Sequence, residues 1–206
     1  MSKVSTEFIE DRKKEIVDAC EKLYQTMSFK DITIIEIGKI TSFTRTSIYN
    51  YFHTKEEIFL ALLQREYKFW IEDLEKIIAK NKNLSKEKFA DLMAKSLENR
   101  LQLLKLLSMN HFDMEMNSRQ ENLTEFKGVY GQSLATVKKS LDKFFPAMSE
   151  EDKNDFLYAF FPFVYGIYPY AIVNEKQISA MEDANTNFIF HSVYELTFNF
   201  VKRFLN

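Results

Sequence analysis

Little in this sequence interrupts a helix or crosslinks one segment to another. Four glycines and three prolines are spread over 206 residues, which leaves few chain breakers and no glycine-rich phosphate loop or dinucleotide fingerprint. The lone cysteine, Cys20, excludes an internal disulfide and fits a reducing compartment. It falls on the apolar face of the first predicted helix, which makes it core and not a nucleophile. Histidine is scarce, at three residues. His111, Asp113 and Glu115 come nearest to a metal-ligand pattern, but they form no spaced ligand set, so no metal is expected. No Ser-His-Asp or paired-carboxylate arrangement follows from spacing, so neither catalysis nor a cofactor is expected. The most apolar window, Phe156 to Val173, has no charge, yet it is short for a membrane span, contains Pro162 and Pro169, and is rich in tyrosine. It reads as a buried or dimer-facing helix. The opening M-S-K-V-S-T-E-F lacks the charged leader and apolar run of a secretory signal, so a cytoplasmic protein with no membrane partner is expected.

What is present is 46% hydrophobic residues, recurring mostly at helical spacing and without strand-like alternation. The fold class is therefore all-α, with enough apolar residues for a sizeable core. Helices are predicted over Asp11 to Met27, with Ile16, Ala19, Cys20, Leu23 and Met27 on one face, and over Lys55 to about Ala79. A third starts after Ser85 and runs through Leu107, followed by a less regular stretch from His111 to Asn122. Leu123 to Phe145 resumes the pattern with Phe126, Tyr130, Leu134, Val137 and Leu141, and Pro146 stops it. Ser149 with Asp152 opens the next helix, reaching Val173 with kinks at the two prolines. The last is predicted from about Asp183 to Leu205, carrying Phe188, Ile189, Val193, Leu196, Phe200, Val201 and Phe204.

The most informative stretch is Ile32 to Lys55, I-T-I-I-E-I-G-K-I-T-S-F-T-R-T-S-I-Y-N-Y-F-H-T-K. Thr33, Thr44 and Thr54 are hydroxyl residues suited to accept a hydrogen bond from first-turn amides, so three helix starts follow in close order. Thr33 with Glu36 and Thr54 with Glu57 have capping-box spacing, each worth about 1 kcal/mol. Ile32 with Ile37, and Phe43 with Ile48, stand at hydrophobic-staple positions. Ile34, Ile37 and Ile40 form an apolar stripe, and Gly38 leaves room for a second helix, roughly Arg45 to Tyr51, to cross nearby. This is helix-turn-helix logic. Ile48 and Phe52 turn to the core, while Arg45, Thr46, Tyr49 and Asn50 face outward. From Ile37 to Lys55 there is no acidic residue, so phosphate would meet no local repulsion, even though the whole chain carries a net charge of −2.

Thr33 through Leu63, and above all T-S-I-Y-N-Y-F-H-T-K-E-E-I-F, resembles the DNA-binding domain of the tetracycline-repressor (TetR) family of bacterial regulators. Ser42 stands where that family usually has glycine in the turn. The resemblance implies a three-helix DNA-binding head at residues 1–55 and a helical ligand-binding and dimerisation body at 56–206. It implies a homodimer that binds double-stranded operator DNA with inverted-repeat symmetry and is released, as a repressor, by a small apolar or aromatic effector. Carried over by position, the DNA contacts are Thr44, Arg45, Thr46, Tyr49, Asn50 and Tyr51; Thr33 and Ile35 at the start of the preceding helix, and Lys55 at the amino end of the following one, are expected to add to them. Ligand would meet Phe112, Met116, Phe126, Tyr130, Phe163, Tyr165 and Tyr168, and the dimer seam would draw on Phe188, Val193, Leu196 and Phe200. The alternative is a helical small-molecule-binding or structural protein whose DNA head no longer functions.

Overall fold

Side-chain oxygens set the helix starts. Ser85, Ser149, Asn174 and Ser192 all sit in extended backbone and accept a hydrogen bond from the amide three residues on, the arrangement that satisfies an orphan first-turn donor. The computed structural model describes residues 3–109 and 111–205, and among these every regular element is helical. In order they are α1 (Lys3–Tyr24), α2 (Ile34–Lys39), α3 (Arg45–Ile48), α4 (Lys55–Lys80), α5 (Lys86–Glu98) and α6 (Leu101–Leu107), then α7 (His111–Met116), α8 (Gln120–Phe144), α9 (Glu150–Gly166), α10 (Tyr168–Ala171), α11 (Glu175–Asp183) and α12 (Val193–Phe204). No described helix is long and apolar enough to cross a membrane.

Two compact units emerge: Met1–Arg65 with Asn110–Gly128, and Glu66–Met109 with Val129–Asn206. The first reaches beyond the expected boundary at residue 55 because the opening turns of α4 belong to its core. Ile16 and Cys20 of α1, Ile37 of α2, Ile48 of α3 and Ile58, Phe59 and Leu62 of α4 are all fully buried. The Phe59 ring meets Tyr24 edge-on at 5.2 Å and Phe29 at 4.7 Å, geometry favoured by the ring quadrupole. Arg65 closes this unit by donating to Asp18 and, at 2.6 Å, to Glu21.

The second unit is built on aromatic packing. Trp70 of α4 is fully buried, donates from Nε1 to Ser96 Oγ of α5 at 3.1 Å, and lies against Phe160 and Phe161 of α9. The indole thus satisfies its one donor inside an apolar core. α12 packs along α5, with the Tyr194 hydroxyl donating to Asp91 at 3.0 Å and Lys202 paired with Glu87 at 3.1 Å. The nearly buried Lys153 ties α9 to α8 by pairing with Asp142 at 2.7 Å, and pairs with Glu150 of its own helix at 3.0 Å.

Several boundaries differ from expectation. The helix predicted from Ser85 to Leu107 is broken at Asn99 and Arg100, where Arg100 Nε donates to Asp73 at 2.9 Å. The last helix begins at Val193, not near Asp183, because Ser192 and Glu195 form a reciprocal capping box. Before it, α11 ends in a Schellman arrangement: Asn185 takes a left-handed conformation (φ 50), its amide bonds Glu182 O and the next amide bonds Met181 O, both at 3.0 Å. Asparagine tolerates that conformation better than most residues. Phe188 and Ile189 therefore lie outside any helix.

Burial pushes the Cys20 thiol up to about 12, and the residue has no exposed surface, so the thiolate needed for reaction is both scarce and inaccessible. An aromatic disulfide reagent at pH 8 is expected to leave the folded chain unlabelled and to titrate one thiol after denaturation. Rapid labelling of the native chain would contradict the packing of α1.

Candidate nucleic-acid interface

Three threonine caps organise the surface predicted to meet DNA. Thr33 Oγ1 accepts from Glu36 N at 3.2 Å, Thr44 Oγ1 from Ser47 N at 3.3 Å, and Thr54 Oγ1 from Glu57 N at 3.2 Å. Neither predicted capping box closes on its cap. The Glu36 carboxylate accepts from Lys39 at 2.7 Å instead, and Glu57 turns inward. Ile34 and Ile37 are buried, but Ile40 is 44% exposed, since it caps the C-terminus of α2 and has left the helix face. A methyl group at Gly38 would lie 3.6 Å from Ile48 Cδ1, ordinary contact, so the crossing leaves space there without demanding glycine.

The turn between α2 and α3 does not need glycine either. Among the described non-glycine residues only Asn185 has a positive φ, so Ser42 sits in relaxed backbone. Its amide donates to Glu15 Oε1 at 2.7 Å and its hydroxyl accepts from Arg12 at 3.1 Å. Arg12 also lies over the Phe43 ring at 4.7 Å, a cation–π contact that fixes the turn to α1.

α3 is one turn shorter than predicted: it ends at Ile48, and turn hydrogen bonds carry the chain on, Tyr51 N to Ile48 O at 2.9 Å and Phe52 N to Ile48 O at 3.0 Å. Ile48 and Phe52 are buried, whereas Thr44, Arg45, Thr46, Tyr49 and Asn50 are exposed. Arg45 Nη2 donates to the Tyr49 hydroxyl at 3.3 Å, so the two long side chains lie together on the open face. Thr33 and Ile35 are exposed on the neighbouring α2 start, Ile35 by 48%. Tyr51 is half-buried against Phe43. Lys55 is half-buried: its ammonium donates to Phe29 O at 2.7 Å and sits 4.2 Å from the Phe29 ring. The charge expected on phosphate is engaged with the loop after α1.

Behind this face lies a group that sequence reasoning missed. The Glu57 carboxylate, with no exposed side-chain surface, accepts from His53 N at 2.7 Å, Arg119 N at 2.9 Å, Arg119 Nε at 2.8 Å and Arg119 Nη2 at 3.0 Å. Arg119 Nη2 also donates to Tyr51 O at 3.0 Å, and the Thr54 hydroxyl donates to Asn117 O at 2.9 Å. Burial pushes the Glu57 carboxyl up, but the hydrogen bonds from Arg119 and His53 outweigh it and hold the group below its ordinary 4.5. No local pattern signals a partner 62 residues away.

The candidate ligand residues separate into four groups. Tyr130 and Tyr165 converge on the buried Tyr67: the Tyr67 and Tyr130 rings meet edge-on at 6.0 Å, and the Tyr67 hydroxyl donates to that of Tyr165 at 3.5 Å. Tyr130 also packs edge-on against Phe161 at 5.6 Å, and burial raises the Tyr67 hydroxyl well above its usual pKa. Tyr168 is half-buried at the start of α10, which packs on α6, α9 and α12. Phe112, Met116 and Phe126 belong to the first unit; Phe126 is buried, but Phe112 and Met116 are 72% and 69% exposed. Glu115 pairs with Lys127 at 2.6 Å; the side chain of His111 lies outside the described residues.

Phe163 goes elsewhere. It stacks on Phe200 of α12 at 4.2 Å and joins Gly166, Ile167, Tyr170 and Leu196 around an open groove of about 260 Å³. Phe200 and Leu196, both candidates for the dimer seam, therefore share one apolar face with a residue expected at the ligand. Val193 does not: only 3% exposed, it belongs to the protomer's own core. Phe188 is half-buried against Phe190 at 5.0 Å, outside the last helix.

The depressed Glu57 carboxyl makes a pH prediction. Protonation favours the unfolded chain, so this stabilisation is complete above the ordinary value of 4.5 and is lost as pH falls through the lower folded value. A Glu57→Gln/Arg119→Gln chain is expected to lose melting temperature less steeply than the parent below that point. Equal slopes in a pH series of thermal melts would contradict the assignment.

Residues 64–195, more than half of the chain, match the family model described as "Tetracyclin repressor-like, C-terminal domain". A search of curated proteins finds no significant match. Among solved structures, the chain is similar to a TetR/AcrR-family transcriptional regulator from Thermobifida fusca YX-ER1, with a TM-score of 0.64 and 16% identity over 95% of this chain and 97% of the other. It is also similar to FadR from Bacillus subtilis, solved in complex with stearoyl-CoA, with a TM-score of 0.61 and 14% identity over 94% and 97%. The MbdR regulator from Azoarcus sp. CIB has a TM-score of 0.54 and 16% identity over 94% and 96%. At such identities the structures speak for the fold, and the family model, covering the body that the head's motif left unassigned, speaks for membership: the chain belongs to the TetR family of ligand-responsive, DNA-binding transcriptional regulators, which are not enzymes.

Proposed function

We propose that the protein is a homodimeric cytoplasmic repressor that grips an inverted-repeat operator with the outer face of α3 and leaves it when an apolar effector occupies the body. The observation that carries this reading is the sidedness of α3: Ile48 is fully buried, while Thr44, Arg45, Thr46, Tyr49 and Asn50 are open on a stretch without acidic residues. Arg45 is the base reader, able to present two donors to guanine O6 and N7. Thr33, Thr44, Tyr49 and Tyr51 hold the backbone, and Ile35 offers an apolar contact to a thymine methyl. Two-fold symmetry, with Leu196, Phe200 and Phe163 in the seam, presents two such helices to half-sites about one helical turn apart.

The effector is an apolar molecule, and a long acyl chain is the first class to test. Tyr67, Tyr130, Phe161 and Tyr165 supply an aromatic wall with hydroxyls, the mixture typical of a small-molecule site. Stearoyl-CoA, which FadR from Bacillus subtilis holds, is the probe of choice. Linkage requires that the effector bind the DNA-free protein more tightly by the same factor by which it weakens operator binding.

The test is a titration of the DNA upstream of the chain's own gene, with and without stearoyl-CoA, alongside sedimentation. A dimer that shifts this DNA and loses it when the acyl-CoA is added is expected. A monomer at micromolar concentration, or no preference over unrelated DNA, would overturn the reading. Arg45→Ala is expected to reduce discrimination at one base position by about 1–3 kcal/mol. Lys55→Ala is expected to lower the melting temperature while leaving the salt dependence of DNA binding unchanged, because its ammonium is already held by Phe29; a slope shallower by about one unit would return Lys55 to the phosphate contacts.

A further inference from the structure

We infer that Arg119 is a positioning residue for DNA recognition: it makes the segment Asn110–Gly128 a working part of the head and sets the orientation of the recognition turn. This rests on the DNA-binding reading above. The segment is distant in sequence from α3 yet belongs to the same compact unit. One guanidinium ties it to the head, closing on both oxygens of Glu57 and on Tyr51 O. Glu57 completes the circuit by accepting from His53 N at 2.7 Å, so Tyr51 and His53, on either side of the buried Phe52, are held by one charged cluster. Two positions before Tyr51 stands the exposed Tyr49, which lies with Arg45 on the open face.

The observed pairing and its loss differ sharply in cost. With Arg119 in place, the buried carboxylate has its counter-charge and four hydrogen bonds. With Arg119 withdrawn, Glu57 keeps a buried negative charge with only the His53 amide, which is unfavourable enough that the first turn of α4 and the 51–53 turn must rearrange. The second tie, Thr54 to Asn117 O, makes residues 117–119 dock or leave together. α8 carries the chain from this segment into the second unit, so a displacement at the start of α8 is delivered to the recognition turn as loss or gain of the Arg119 contacts. Both states of a switch need differential contacts of this kind.

The experiment uses the full-length protein and its own upstream DNA. Arg119→Gln, Arg119→Lys and the Glu57→Gln/Arg119→Gln double variant are compared with the parent by DNA titration, thermal melting and hydrogen exchange over residues 44–57. Arg119→Gln is expected to bind the DNA roughly 5- to 150-fold more weakly, the usual span of a coupling between sites, and to exchange faster at 51–57. Arg119→Lys, which keeps the charge without the fork, recovers part of the affinity. The double variant removes the unpaired charge without restoring the tie, so it is expected to regain melting temperature and not DNA affinity. If affinity returns together with stability in the double variant, Arg119 is merely structural and the inference fails. It fails equally if a folded Arg119→Gln binds like the parent. Should Arg119→Gln not fold, the double variant decides by the same criterion. Should the parent itself show no specific binding, the repressor reading fails separately, and exchange over 44–57 that is unchanged in the variants overturns the positioning role.

Discussion

A buried carboxylate constrains this molecule more than any other single group. Glu57 stands in the first turn of α4, where a negative charge suits the helix dipole, but with no exposed side-chain surface it depends on its counter-ion. Removing one partner from a buried pair costs about 3–5 kcal/mol, and somewhat less here because Arg119 is 38% exposed. The chain therefore cannot keep α4 where it is without also keeping residues 117–119 in place. That requirement makes the DNA head discontinuous in sequence, and it binds a stretch from the middle of the chain to the turn that follows α3.

The rest of the head follows from more ordinary forces. Threonine caps start the short helices, isoleucines bury one side of each, and Phe59 gathers Tyr24 and Phe29 around it. Helices this short are not stable alone, so tertiary packing must supply what propensity does not. The open face is left to residues whose removal changes little in the core. In the second unit the large surfaces are aromatic: Trp70 against Phe160 and Phe161, Phe163 on Phe200, and three tyrosines in one cluster. Such packing combines shape with a few hydroxyls, which suits a regulator whose family responds to small molecules.

Much of this could be read from the residues alone. Helical spacing and the scarcity of breakers determined the all-α class, and the caps at Thr33, Thr44, Thr54, Ser85 and Ser149 marked real helix starts, because a cap is a local interaction between residues three apart. The sidedness of α3 was legible for the same reason, since Ile48 is the one apolar residue in the run Thr44 to Ile48 and is the one that packing buries. The order of residues from Thr33 to Leu63, above all Thr46 to Phe59, carried the resemblance to the family. Where local signals were overlooked, as with the capping box of Ser192 and Glu195, the predicted last helix was too long.

Only the tertiary structure decided which of two chemically equal uses a residue serves. Glu57 has capping-box spacing, yet its carboxylate goes to an arginine 62 positions away. Lys55 has the charge and place for a phosphate, yet Phe29 O takes it. Phe163 and Tyr165, two residues apart, diverge to Phe200 and Tyr67, and Val193 is buried while Leu196 and Phe200 on the same helix are only half-buried. Periodicity and capping act within a few residues and so are written in the sequence. The pairing of a charge or a ring depends on which distant segment arrives beside it, and that is determined only when the whole chain has packed.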